Sequence, residues 1–220
     1  MRVTFAPGRP PMFSLQTIFG KGDKFYGLLE QSAEAARESA KALHDLVTQA
    51  DHAPVMAAFA AARSREKALA AKISEELVNT FVTALDREDI EALNTSLYKI
   101  PKAIEKFAER YDIVAARLQG VDFAQRTLVL ARSTEVVAQM IGELRNGLRI
   151  DPVKKLQDRL QTLESEGDRM LLAPYRTLYL ESNDAMRAML AKDLFELLEK
   201  GIDKCRDVGN IVYSIVLKNS

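Results

Sequence analysis

Two acid pairs stand at helical spacing in the last third of this 220-residue chain. Glu164 and Asp168 form an E-x-x-x-D motif. Glu199 and Asp203 form another, with Asp207 one turn further. Residues at i and i+4 share a helix face, so each motif presents its carboxylates in a column. Two such columns on neighbouring helices make a cluster of oxygens that repels itself unless a cation or water separates the charges. Oxygen-only ligand sets suit hard ions such as iron(III), manganese, magnesium or calcium. A solvated acidic face explains the same spacing without a ligand. At about 100° per residue, Glu164 falls at the edge of its apolar stripe and Asp203 lies nearly opposite. A metal held here sits on the surface or in a groove, not in a bundle core.

Other chemistry is scarce. The chain has one cysteine and two histidines, which rules out an internal disulfide and disfavours a Cys/His zinc site. His44 and His52 have no partnering Ser or Cys motif and read as surface residues. Cys205 falls on an apolar stripe, where a buried, inert thiol is expected. Glycine-rich phosphate loops are absent, so a link to phosphate is regulatory and the chain is not read as an enzyme. Lys+Arg and Asp+Glu both total 31. A net charge of zero argues against nucleic-acid binding through a bulk basic surface and against adhesion to anionic lipid. No apolar run reaches the ~18 residues of a membrane helix, and no secretory signal opens the chain, so a cytoplasmic location is expected.

The elements that position the acids are helices. Three of the seven prolines lie in the first eleven residues, and the chain has only ten glycines. A sheet protein needs turn residues roughly every 8–12 positions, and they are missing. The spacing predicts an all-α chain of six long helices, about 23–49, 54–80, 86–119, 122–148, 151–182 and 189–218. Asp86 and Asp122 are expected caps, Gly120 is the expected end of the third helix, and Pro101 an expected kink in it. Asp151-Pro152 opens the fifth helix, and Pro174 is an expected bend. Residues 1–21 read as a flexible arm, with Met12 an alternative start.

The chain also repeats itself at a separation of 101 residues. Leu29 matches Leu130, Glu34 matches Glu135, and Leu43 matches Leu144. Leu77, Leu93 and Leu97 match Leu178, Leu194 and Leu198. One offset through all three helices of each half implies two tandem three-helix bundles, about 22–120 and 121–220. The acids break this symmetry. Glu164, Asp168, Glu199, Asp203 and Asp207 match Arg63, Lys67, Tyr98, Lys102 and Lys106. Four acids become bases and the fifth becomes tyrosine. A metal site built in the second half is therefore lost in the first, where ammonium groups could serve as the cations beside acids such as Glu34 or Glu105.

These residues resemble the PhoU-like family, in the branch of accessory proteins of Pit-type phosphate permeases. The resemblance spans about residues 12–220. It is carried by Phe25-Tyr26-Gly27-Leu28-Leu29-Glu30-Gln31 and by the segment TFVTALDREDI (80–90), close to the family's F-I-T-P-F-D-R-E-D-I. Further matches are Leu163-Glu164-Ser165-Glu166-Gly167-Asp168, close to L-E-x-E-A-D, and the stretch from Leu198-Glu199 through Asp203 and Asp207 to Lys218. The resemblance implies a pair of three-helix bundles and surface E/D-x-x-x-D motifs that hold metal clusters, often of iron or zinc. That places a metal on Glu164, Asp168, Glu199 and Asp203, with Asp207 an extra ligand. It also implies a cytoplasmic regulator of inorganic phosphate transport, docked on a Pit-type permease and peripheral to the membrane through it. The reading allows a homo-oligomer and no nucleic-acid partner. The competing readings are carboxylate-cluster metal chemistry, which usually uses Glu-x-x-His, and a metal-free helical adaptor.

Overall fold

The computed structural model describes residues 15–48, 53–176, 180 and 184–220. Six long helices account for most of them: α1 (Leu15–Thr48), α2 (Ala53–Asn79), α3 (Arg87–Val114), α4 (Ala124–Arg145), α5 (Ile150–Arg176) and α6 (Ala185–Lys218). Among the described residues there is no strand. α1 begins at Leu15, so residues 15–21 of the expected arm are helical, while residues 1–14 lie outside the described residues. His52 and the expected end of the fifth helix near Ser182 also lie outside them.

Local chemistry sets several helix ends. The Asp122 carboxylate accepts a 2.8 Å bond from the Ala124 amide, and Asp184 accepts one of 2.9 Å from Arg187. These side chains satisfy amides that an α-helix leaves open at its start. Asp86 departs from expectation. It holds the N-cap position of α3 but makes no side-chain capping bond. Its neighbour Arg87 instead reaches back to the carbonyls of Leu77 and Thr80, closing the C-terminal end of α2. α3 ends at Val114, earlier than Gly120, because the chain tightens into a 3-10 turn over Ala115–Arg117. Gly120, at φ +82°, belongs to the connection that follows. α3 runs through Pro101 as one helix.

α1, α2 and α3 pack on one another, and so do α4, α5 and α6. α1 also packs on α4, and α3 on α6. The result is an inner layer of four helices with α2 and α5 outside it. α1 earns its central place through small residues: Ser32, Ala33, Ala35, Ala36, Ser39 and Ala40 are all buried, which lets neighbouring backbones approach. The inner faces carry Leu43, Leu97, Ile104, Val137, Ile141, Leu198, Val208 and Val212 in one continuous core. Each such side chain contributes about 1.5–3 kcal/mol by leaving water.

Contacts at both ends fix the antiparallel register of α3 and α6. Lys218 in the last turn of α6 donates a 2.7 Å bond to Asp89 in the first turn of α3. Each charge thereby complements the dipole of its own helix. At the other end, Phe123 lies edge-on to Phe107 of α3, centroids 5.6 Å apart, and 4.8 Å from the ring of Phe195 on α6. This register decides which charged side chains of the two halves become neighbours.

Candidate functional site

Four of the five acids singled out by their spacing come together. Glu164 and Asp168 from α5, with Glu199 and Asp203 from α6, line one small cavity. Gly167 and Ile202 form part of its wall, and a Cβ on Gly167 would stand 3.0 Å from the Ile202 side chain. The close approach of α5 to α6 brings the two acid columns side by side. Asp203 is half-buried in this wall and does not stand on an open face. Asp207 is apart: it accepts a 2.7 Å bond from Lys204 on its own helix.

The cluster is electrostatically strained. Burial, followed by repulsion from Asp168 and Asp203, raises the Glu164 carboxyl, while Arg206 pulls it back down. Glu199 is raised by burial and then by Asp203, Asp168 and Glu196, against a lowering by Arg126. Two guanidinium groups therefore provide the compensating charge. Arg206 donates to Glu164 across the α5–α6 contact. Arg126 of α4 lies at the cavity with only 4% of its surface exposed. Its guanidinium stacks 4.2 Å over the Phe195 ring, and its two terminal nitrogens have no hydrogen-bond acceptor. Neither arginine was visible from helical spacing within α5 and α6, since both roles arise from contacts between helices.

A metal centre needs three or more ligands converging on one point. Among the described residues, no three His, Cys, Asp or Glu side chains form such a group. With Arg206 on Glu164 and Lys204 on Asp207, the donor set as placed does not close around a metal.

The first half holds the same pair with its polarity reversed. Arg63 of α2 donates a 3.1 Å bond to Glu105 of α3, and its guanidinium stacks 4.0 Å over Tyr98. Adding 101 turns Arg63 and Glu105 into Glu164 and Arg206. The two ion pairs thus occupy matched positions with exchanged charges. Beside Arg63 lies Glu66, 0% exposed, with neither carboxylate oxygen hydrogen-bonded. Burial pushes it up to about 7, against smaller lowering effects of Arg63 and Arg65. Its signal was present in the sequence: Phe59, Arg63, Glu66, Ile73 and Leu77 follow one helical stripe. Glu34 is held below its usual range chiefly by its hydrogen bond from Arg37 on the same helix.

The remaining candidates are structural. His44 lies 3.0 Å from the Thr127 hydroxyl, joining α1 to α4. Cys205 is fully buried, and burial raises its thiol, so it is not a nucleophile at neutral pH.

The fold can be placed among known ones. A PhoU-like protein from Shewanella oneidensis MR-1 matches at TM-score 0.78 and 18% identity, over 88% of this chain and 99% of that one. This chain has a PhoU-like fold. A second Shewanella oneidensis MR-1 structure, described as a proposed PhoU-like phosphate regulatory protein, matches at TM-score 0.77 and 19% identity with the same coverage. Among curated proteins, the UPF0111 protein YkaA of Bacillus subtilis (strain 168) is 23% identical over 149 residues, 66% of this chain and 71% of that protein. No protein-family model matches the chain. Within the PhoU-like fold, the acid cluster belongs to the α5–α6 contact and the reversed pair to α2–α3.

Proposed function

We infer that this chain regulates inorganic phosphate transport as a cytoplasmic accessory protein of a Pit-type permease, and that it acts by protein contact and not as an enzyme. One observation carries the reading. The likeness to a PhoU-like phosphate regulatory protein runs through 88% of this chain and 99% of the other, so it concerns the whole architecture and not a shared helix pair. The absence, among the described residues, of any helix long and apolar enough to cross a membrane is consistent with reaching the membrane through a partner. The site chemistry also agrees: ion pairs that join helices and an inert thiol suit a scaffold. Phosphate uptake in cells with the gene deleted tests this. The expected result is uptake altered in a strain that contains the permease and unaltered in a strain lacking it. Equal uptake with and without the gene contradicts the reading.

A metal on Glu164, Asp168, Glu199 and Asp203 is the second reading, favoured by the burial and the mutual repulsion that raise Glu164 and Glu199. It requires Arg206 to leave Glu164. Elemental analysis after incubation with iron or zinc tests it. Stoichiometric metal that is lost in Glu164→Ala/Asp203→Ala supports a centre at these acids. Metal-free protein, or metal retained in that variant, removes it.

A further inference from the structure

Zero net charge conceals a sharp local segregation. A groove of about 340 Å³ between α3 and α6 is lined by Lys99, Lys102, Lys106 and Arg110 on one wall and Lys200 and Lys204 on the other. It is a basic patch that a net charge of zero does not reveal. The patch was hidden because its two walls are remote in sequence and meet only through the antiparallel α3–α6 register. Lys102 and Lys106 are two of the bases that stand where the second half has Asp203 and Asp207.

Basic side chains outnumber acids in the lining by six to two. Lys204 is paired with Asp207. Lys99, Lys102, Lys106, Arg110 and Lys200 make no ion pair among the described residues. Asp193 and Glu196 lie at the Arg110 end, and Glu196 is already engaged by Lys192. The stretch from Lys99 to Lys106, facing Lys200 and Lys204, is left cationic. Like charges gathered in a concave surface raise one another's energy and focus the field, so the groove attracts anions.

Shape and chemistry narrow the ligand. Lys99, Lys102, Lys106 and Arg110 follow at i, i+3, i+7 and i+11, a row about 16 Å long at 1.5 Å per residue. One small anion can meet only part of such a row, whereas a chain of repeating charges can follow it. Lysines dominate, and they act as point charges without bidentate selectivity. No aromatic residue lines the groove, so it lacks the stacking platform that single-stranded nucleic acids use. The apolar floor is limited to Ala103 and Leu197, too little to seat the buried anchors on which protein segments depend.

We propose that the α3–α6 groove is a binding site for a linear, flexible polyanion of the inorganic polyphosphate class. The site does not depend on the permease reading, and its test needs only the purified full chain. Short-chain inorganic polyphosphate is titrated by calorimetry at several salt concentrations. With five or six cations engaged, log K should fall with log salt at a slope of roughly −3 to −4. Lys102→Gln/Lys106→Gln should weaken binding at least ~10-fold and flatten the slope by about 1.4. Lys154→Gln/Lys155→Gln, on the exposed surface of α5, should leave both unchanged. Orthophosphate, poly-glutamate and anionic lipid vesicles serve as competing probes. Absence of polyphosphate binding at low salt overturns the proposal. So does equal weakening by the two double variants, or tighter binding of any competing probe.

Discussion

Glu66 is the side chain whose chemistry is most out of balance. Its carboxyl is fully buried, unbonded and pushed up to about 7, from 4.5 in the open chain. Between those two values the folded protein keeps a proton that the unfolded protein has released. Stability contributed by this group is therefore present at low pH and falls as pH rises through about 4.5 to 7, by about 3 kcal/mol in all. Glu66→Gln should remove that fall and leave the protein more stable than wild type above pH 7. Urea unfolding at pH 5 and pH 8 reads the difference; an identical pH dependence in both proteins contradicts it. At this scale the sequence was partly legible. Helical spacing picked out the four acids that meet and a fifth, Asp207, that stands apart, and the 101-residue offset picked out Arg63, whose guanidinium pairs with Glu105. Arg126 and Arg206 were not foreseen, because their roles depend on which side chains face them from other helices, whereas Glu66 was missed although it falls on the buried stripe of α2.

At the scale of elements, periodicity, proline placement and glycine scarcity sufficed to locate six helices in order. Ends were harder, since competing local bonds decide them. Asp86 has a residue type suited to capping, yet Arg87 takes over the junction by bonding two carbonyls of α2. α4 shows the other kind of ending. Gly147 follows its C-cap Asn146 at φ +97°, and Leu148 continues at φ +53°. A side chain in this left-handed region costs roughly 1–2 kcal/mol. Nothing stands within 4 Å of a Cβ on Gly147, so Gly147→Ala isolates the backbone term. Thermal unfolding should show a loss of about 1 kcal/mol. An unchanged melting temperature would mean that the turn relaxes without strain.

At the scale of the molecule, two three-helix sets share one core through the α1–α4 and α3–α6 contacts. The charge reversal between halves then acquires a consequence. Acids in the second half meet arginines at α5–α6, while lysines in the first half are turned toward α3–α6 and crowd a groove. Composition could not reveal this, because opposite local charges cancel in the sum. Part-buried ion pairs join α2 to α3 and α5 to α6. The most direct measurement is co-purification from membranes of cells with and without the Pit-type permease. The account predicts membrane association that depends on the permease. Association that is the same in its absence, or no association in its presence, would contradict it.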